Sequence, residues 1–170
     1  NAAVPVLKVV HDTFGIVSGH IETIHSFTND QNIIDNFHKK DRRGRAAPLN
    51  IILTSTGAGK AVAKVVPELN GRLTASAIRV PTPDVSILVM NLKLSKKTTL
   101  DSLRNVLSEM ASTKLSDQID FVESPEAASS DFVGNSHASI VDSKNLIVND
   151  DQAVLYVWYG SSDEVRLYRL

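Results

Sequence analysis

The chain has 170 residues, 42% of them hydrophobic and 22% charged, which is ordinary globular composition at the usual size of one domain. It contains no cysteine, which excludes disulfides, thiolate zinc sites, iron–sulfur clusters and a cysteine nucleophile within these residues. Eighteen basic against nineteen acidic residues leave a formal charge of -1, so no global field favours nucleic acid or anionic lipid.

The longest apolar stretches, Val85 to Met90 and Ala153 to Trp158, fall far short of the roughly 20 residues that span a bilayer. We expect a soluble protein with no membrane insertion, in the cytoplasm or an organelle matrix, between which an absence of cysteine does not choose. Asn1 to Val10 carries only Lys8 as a charge and lacks the basic start and cleavage site of a secretory signal. The chain begins abruptly, as one cut from a longer protein would.

In chain order, Ala3, Val6, Leu7, Val10 and Phe14 recur at helical spacing, with Pro5 near the front where its missing N–H costs least. Ile16 to Phe27 then alternates as a strand, with an interruption expected near Gly19. From Thr28 to Asn50 the periodicity disappears, and a connection of that length is usually functional or disordered. Thr54 to Leu69 reads as a Ser/Thr/Gly entry into a short helix through Ala61, Val62, Val65 and Val66. Leu73 to Val80 and Val85 to Leu94 read as two strands paired with each other across the turn Pro81-Thr82-Pro83-Asp84. Leu100, Leu103, Val106, Leu107 and Met110 give Thr98 to Ser112 a one-sided apolar helix face. Four short strands follow, at Ile119 to Val122, His137 to Asp142, Leu146 to Val148 and Ala153 to Tyr159. The economical arrangement is α+β: a mixed, largely antiparallel sheet with helices on one face.

Three features could carry chemistry. His38 to Arg45 holds five Lys or Arg in eight positions. It suits a solvated loop, a nucleic-acid patch without aromatic residues for stacking, or a site for a small phosphorylated ligand, since arginine's fork matches phosphate oxygens. Ser55-Thr56-Gly57-Ala58-Gly59-Lys60 lacks the glycine spacing of a nucleotide-binding phosphate loop, although a glycine-flanked helix entry can present N–H groups to one phosphate. His25 stands at a strand end feeding the irregular loop, where catalytic groups are often mounted and structural histidines also occur. No two histidines have zinc-ligand spacing, and we assign no metal.

Six runs, taken together and in order, resemble the catalytic domain of phosphorylating glyceraldehyde-3-phosphate dehydrogenase. They are Ile24-His25-Ser26-Phe27-Thr28, Arg42-Arg43-Gly44-Arg45-Ala46-Ala47, Ser55-Thr56-Gly57-Ala58, Val66-Pro67-Glu68-Leu69-Asn70-Gly71, Arg79-Val80-Pro81-Thr82-Pro83 and Ser129-Ser130-Asp131-Phe132-Val133-Gly134. The resemblance implies that His25 is the base that activates a thiol nucleophile. It implies that Thr28 and Arg79 bind the substrate's phosphate, and that Thr56, Gly57 and Arg43 bind inorganic phosphate. The erythrose 4-phosphate enzyme shares much of this pattern. NAD is implied for the full-length family enzyme and no cofactor for this chain alone.

The departures from the family matter as much. Asn1 matches the last residue of the family's Ser-Cys-Thr-Thr-Asn run, so its nucleophile and dinucleotide-binding half lie outside this chain. After Trp158-Tyr159 the family's Asp-Asn-Glu stretch reads Gly160-Ser161-Ser162-Asp163-Glu164-Val165, and its long terminal helix shrinks to Val165 to Leu170. The expectation is therefore one catalytic-domain-like unit over 1–170, cut at its front and divergent after 159. As it stands it would be inactive, a structural or assembly subunit that self-associates or needs a protein partner. The alternative is a partial sequence of an active NAD-dependent phosphorylating dehydrogenase.

Overall fold

The computed structural model describes residues 1–160. The first apolar stripe forms α1 (Ala3–Phe14), with Val6, Leu7, Val10 and Phe14 buried on one face. The helix stops at Gly15, whose φ of 70° is cheap only for glycine, and the Gly15 N–H donates to the His11 carbonyl at 2.9 Å. β1 (Ile16–Ser26) follows directly. The remaining elements are β2 (Ile52–Thr54), α2 (Ala58–Val65), β3 (Leu73–Val80), β4 (Ser86–Leu94), α3 (Leu100–Ser112), β5 (Ile119–Val122), β6 (Ser139–Asp142), β7 (Ile147–Asn149) and β8 (Gln152–Tyr159). At the start of α3 the Thr99 hydroxyl accepts the Ser102 N–H at 3.2 Å, satisfying one of the otherwise unpaired donors of its first turn.

The strands form one mixed sheet in the order β2-β3-β1-β4-β8-β6-β5, with β7 also on β8. Only β1 with β3 and β5 with β6 pair in parallel, and the other contacts are antiparallel. The register sets Ala75, Ile21, Met90 and Leu155 side by side, and Ala77, Thr23, Leu88 and Val157 on the next rung. Ile21, Met90 and Leu155 join Val62, Leu103 and Leu107 of the helices in one buried cluster, so all three helices cover the same face. Each large apolar side chain buried there contributes about 1.5–3 kcal/mol. Among the described residues no helix is long and apolar enough to cross a membrane.

Three local expectations need correction. Leu73–Val80 and Ser86–Leu94 do not pair with each other, because β1 lies between them. The proline turn instead crosses the end of β1, where the Phe27 N–H donates to the Thr82 carbonyl at 3.1 Å. Nor is β1 interrupted at Gly19, which is paired with Leu73 on one side and Leu92 on the other; the register slips between Ile16 and Ser18. Gly19 is there for space, since a Cβ would stand 2.8 Å from the Asn91 carbonyl and from Leu92 Cδ2. The stretch Thr54 to Leu69 begins with the end of an edge strand and is helical only over Ala58–Val65, followed by a 3-10 turn at Pro67–Leu69. Pro67 disfavours helical geometry at Val66, which sets that boundary. The connection from Thr28 is ordered, folded on itself by Asn32 N–H to Arg43 O at 3.0 Å and Asn36 N–H to Gly44 O at 2.9 Å.

The packing at Gly19 gives a test. Gly19→Val should lower stability by about 1–3 kcal/mol in urea unfolding, the usual cost of forcing volume into a filled site. Gly57→Ala, with nothing within 4 Å of the added carbon, should stay within about 0.5 kcal/mol of the parent.

Candidate functional site

One rung at the end of the sheet gathers polar side chains on the helix-covered face. Arg79 on β3 is the register partner of His25 on β1 and of Ile52 on β2, while Ser86 on β4 is the partner of Tyr159 on β8. His25 and Ser86 stand one step beyond the pair Ile24 and Ile87, and the Ser86 hydroxyl lies 3.4 Å from His25 Nδ1. These residues share the parity of Ile21 and Met90, so the pleat aims them at the core side. The first turn of α1 closes over the same edge, where the Ser139 hydroxyl donates to the Ala2 carbonyl at 2.7 Å.

His25 is held from several directions. Its Nδ1 lies 2.7 Å from the Ser26 carbonyl and 2.9 Å from Arg79 Nη1, while Arg79 Nη1 also donates to the Ser26 carbonyl at 2.8 Å. The two Nδ1 contacts require opposite tautomers. We assign the proton to Nδ1, donated to the carbonyl in the shorter contact, because Arg79 keeps that carbonyl as an acceptor either way. Nε2 then bears a lone pair, and it makes no hydrogen bond among the described residues. Ser26 is itself pinned, its N–H donating to the Ser86 hydroxyl at 3.1 Å. The Tyr159 ring meets the imidazole edge to face at 5.9 Å.

The electrostatics favour a neutral base beside fixed cations. Desolvation by burial and then the Arg79 charge push the His25 pKa down, with Arg43 adding to this, against the hydrogen bond to Ser26. Burial pushes the Tyr159 phenol up to about 12, so it remains protonated. Burial and Arg43 also lower Arg79, whose charge nonetheless persists at neutral pH.

Arg43 enters from the folded loop, whose bend needs Gly44 because a Cβ there would collide with the Asn36 carbonyl. Its guanidinium pairs with Asp30, which also lies 3.5 Å from Lys40 and from His38. Desolvation works against ionising Asp30, but Arg43, Lys40 and His38 together outweigh it and hold the carboxyl below its usual range.

The structure thus brings His25, Arg79 and Arg43 into one electrostatic cluster. Thr28 follows β1 directly, its carbonyl accepting the Gln31 N–H at 3.0 Å and its hydroxyl without a hydrogen bond among the described residues. Thr56 and Gly57 lie beyond the end of β2, and no hydrogen bond among the described residues links them to His25 or Arg79. The Thr56 hydroxyl accepts the Ala58 N–H at 3.2 Å, and Gly57 precedes the first residue of α2. Sequence reasoning missed Asp30, Ser86 and Tyr159 as members of the site. Asp30 is one of three acids before or within the basic run, with Asp35 and Asp41, and only the folded loop singles it out, while Ser86 and Tyr159 needed the strand register.

A dinucleotide does not fit the β2–α2 turn. β2 runs antiparallel to β3, so the unit is no βαβ crossover, and the buried Val62 stands where the fingerprint needs a small residue. The change at Gly160 to Val165 and the shortened end lie, from residue 161 on, outside the described residues.

Protonation gives a direct check. Ring NMR should find His25 titrating below its ordinary value of 6.5, and Arg79→Gln should move it up. Because the folded pKa is depressed, the unfolded chain takes the proton first, so stability should fall as pH drops through the unfolded value. His25→Asn should flatten that part of the pH–stability curve; an unchanged curve would mean that the imidazole is not desolvated.

Comparison with known proteins identifies the family. Residues 1–161 match the family model described as glyceraldehyde 3-phosphate dehydrogenase, C-terminal domain. The chain is 58% identical over 162 residues to a glyceraldehyde-3-phosphate dehydrogenase-like protein of Pseudomonas aeruginosa, covering 95% of this chain and 35% of that protein. It is 43% identical over 162 residues to glyceraldehyde-3-phosphate dehydrogenase 2 of Synechocystis and 44% identical over 163 residues to the cytosolic enzyme of Antirrhinum majus, each match covering 95% of this chain and 48% of the relative. The chain therefore spans about a third to a half of the length of these curated relatives. With nearly every residue matched and the expected mixed sheet in place, the chain belongs to the glyceraldehyde 3-phosphate dehydrogenase C-terminal domain family.

Proposed function

We propose that this domain carries the base and the anion subsites of a phosphorylating aldehyde dehydrogenase, and that these 170 residues alone are inactive and serve as a structural or assembly subunit. His25 Nε2 would accept the proton of a thiol supplied from outside the chain, which holds no cysteine. Thr28 and Arg79 would hold the phosphate of the sugar substrate, and Thr56, Gly57 and Arg43 an inorganic phosphate. The observation that carries the reading is the His25–Arg79 rung, where a neutral imidazole and a half-buried guanidinium share the Ser26 carbonyl. That pairing suits a reaction that takes a proton from a nucleophile while binding an anionic substrate.

Association is supported by the loop that carries Arg43. Phe37 is 88% exposed, Leu49 82% and Ile34 72%, a density of bare apolar side chains that soluble monomers seldom leave uncovered. A second copy or a protein partner would cover them.

A second reading makes the same residues half of a working NAD-dependent glyceraldehyde-3-phosphate or erythrose-4-phosphate dehydrogenase. Coverage of only 35% and 48% of the relatives' lengths favours it, since nucleophile and dinucleotide site could belong to the remainder.

Three measurements test the proposal. The purified chain should show no NAD reduction with glyceraldehyde 3-phosphate and phosphate, and turnover would refute its inactivity. Inorganic phosphate should bind on the order of millimolar, reported by amide shifts at Thr56, Gly57 and Arg79, because a small anion retains few charge-assisted hydrogen bonds. Arg79→Ala should weaken it, while Lys96→Ala, whose ammonium donates to the Thr13 carbonyl at 3.0 Å, should not. An equal response in both variants would remove the anion site. Sedimentation should show self-association at micromolar concentration, and a stable monomer would count against the assembly role.

A further inference from the structure

Two contacts compete for His25 Nδ1, and they leave opposite tautomers. The ring can donate Nδ1–H to the Ser26 carbonyl at 2.7 Å, or a bare Nδ1 can accept from Arg79 Nη1 at 2.9 Å. Only the first leaves a lone pair on Nε2. The position of the Ser26 carbonyl decides between them, because the imidazole and Arg79 both reach for it.

That carbonyl is set from the β3–β4 connection. Ser26 is fully buried, and its N–H donates to the Ser86 hydroxyl at 3.1 Å, with the two serine hydroxyl oxygens 3.3 Å apart. The next peptide group, which carries the Ser26 carbonyl, donates through the Phe27 N–H to the Thr82 carbonyl at 3.1 Å. Pro83 excludes helical geometry at Thr82, and the Thr82 N–H closes back over Pro81 onto the Val80 carbonyl at 2.8 Å. Val85, one residue before Ser86, has a φ of 57°. This left-handed conformation costs a β-branched residue free energy and persists only where the surroundings impose it. Its buried side chain packs with Phe132 and Ile140, and the Asp84 carboxylate accepts its N–H at 2.7 Å. The connection is thus held under strain in the conformation that aims Ser86 at Ser26.

We propose that Ser86 and the Pro81-Thr82-Pro83 turn are positioning residues for His25: they fix the Ser26 carbonyl on Nδ1 and so keep the proton off Nε2. The inference rests on the reading of His25 as the base and names what sets its tautomer. Without the Ser86 hydroxyl the buried Ser26 N–H has no acceptor and must move to find one. The carbonyl then leaves Nδ1, Arg79 donates there instead, and the ring proton sits on Nε2. A neutral imidazole in that form has no lone pair left for a thiol proton on the Nε2 side.

Ring-nitrogen NMR of the full chain, at mildly alkaline pH where the imidazole is neutral, reads the tautomer directly. The parent should show Nδ1–H with Nε2 bare. Ser86→Ala should raise the ratio of Nε2–H to Nδ1–H about tenfold, the worth of roughly one hydrogen bond. Pro83→Gly, at an exposed position, frees Thr82 and should raise the ratio in the same direction; it decides alone if Ser86→Ala fails to fold. Thr99→Ala, which removes the cap of α3, should lower stability and leave the His25 signals as in the parent. An unchanged ratio in both Ser86→Ala and Pro83→Gly, or an equal change in Thr99→Ala, would overturn the positioning role while the base reading stands. A parent already in the Nε2–H form would overturn both.

Discussion

The pairing of β1 along both edges is the constraint on which the rest of the molecule depends. One edge runs parallel to β3 from Gly19 to Ser26, and the other antiparallel to β4 from Ile16 to Ile24. Because the two neighbours run in opposite directions, the C-terminal end of β1 meets the last residues of β3 and the first of β4. Arg79 and Ser86 thereby reach His25 from 54 and 61 positions away. Gly15 permits the break between helix and strand, and Gly19 permits the close approach of its neighbours.

The same strand serves two surfaces. His20 and His25 are five positions apart, and an odd separation in a pleated strand puts them on opposite faces. His25 stands on the helix-covered side, where burial keeps it neutral. His20 stands on the uncovered side among hydroxyls and a carboxylate.

Charge is organised locally, as a formal charge of -1 requires. Arg79 and Arg43 oppose each other near His25, and Asp30 counters both. With the Asp30 carboxylate open to solvent, the pair adds little to stability. The contact is better understood as placement: it fastens the loop guanidinium close to a site assembled on the sheet.

The sequence by itself determined the elements with strong periodicity and the chemistry they lack. The stripe from Ala3 to Phe14, the Thr99-capped helix and the late strands are legible because side-chain period follows backbone geometry directly. The absence of cysteine is likewise a matter of composition. The quoted motifs named the family and pointed to His25, Arg79 and Arg43. Tertiary structure alone decided the strand order, because Pro81 and Pro83 announce a turn but not which strand lies beyond it. The sequence suggested a hairpin, whereas burial of Ile21 between Ala75 and Met90 drew β1 into the gap. That choice placed Ser86 and Tyr159 beside His25, and Thr74 and Ser76 beside His20. Register is a long-range property, set by which apolar faces bury together, and no local pattern carries it.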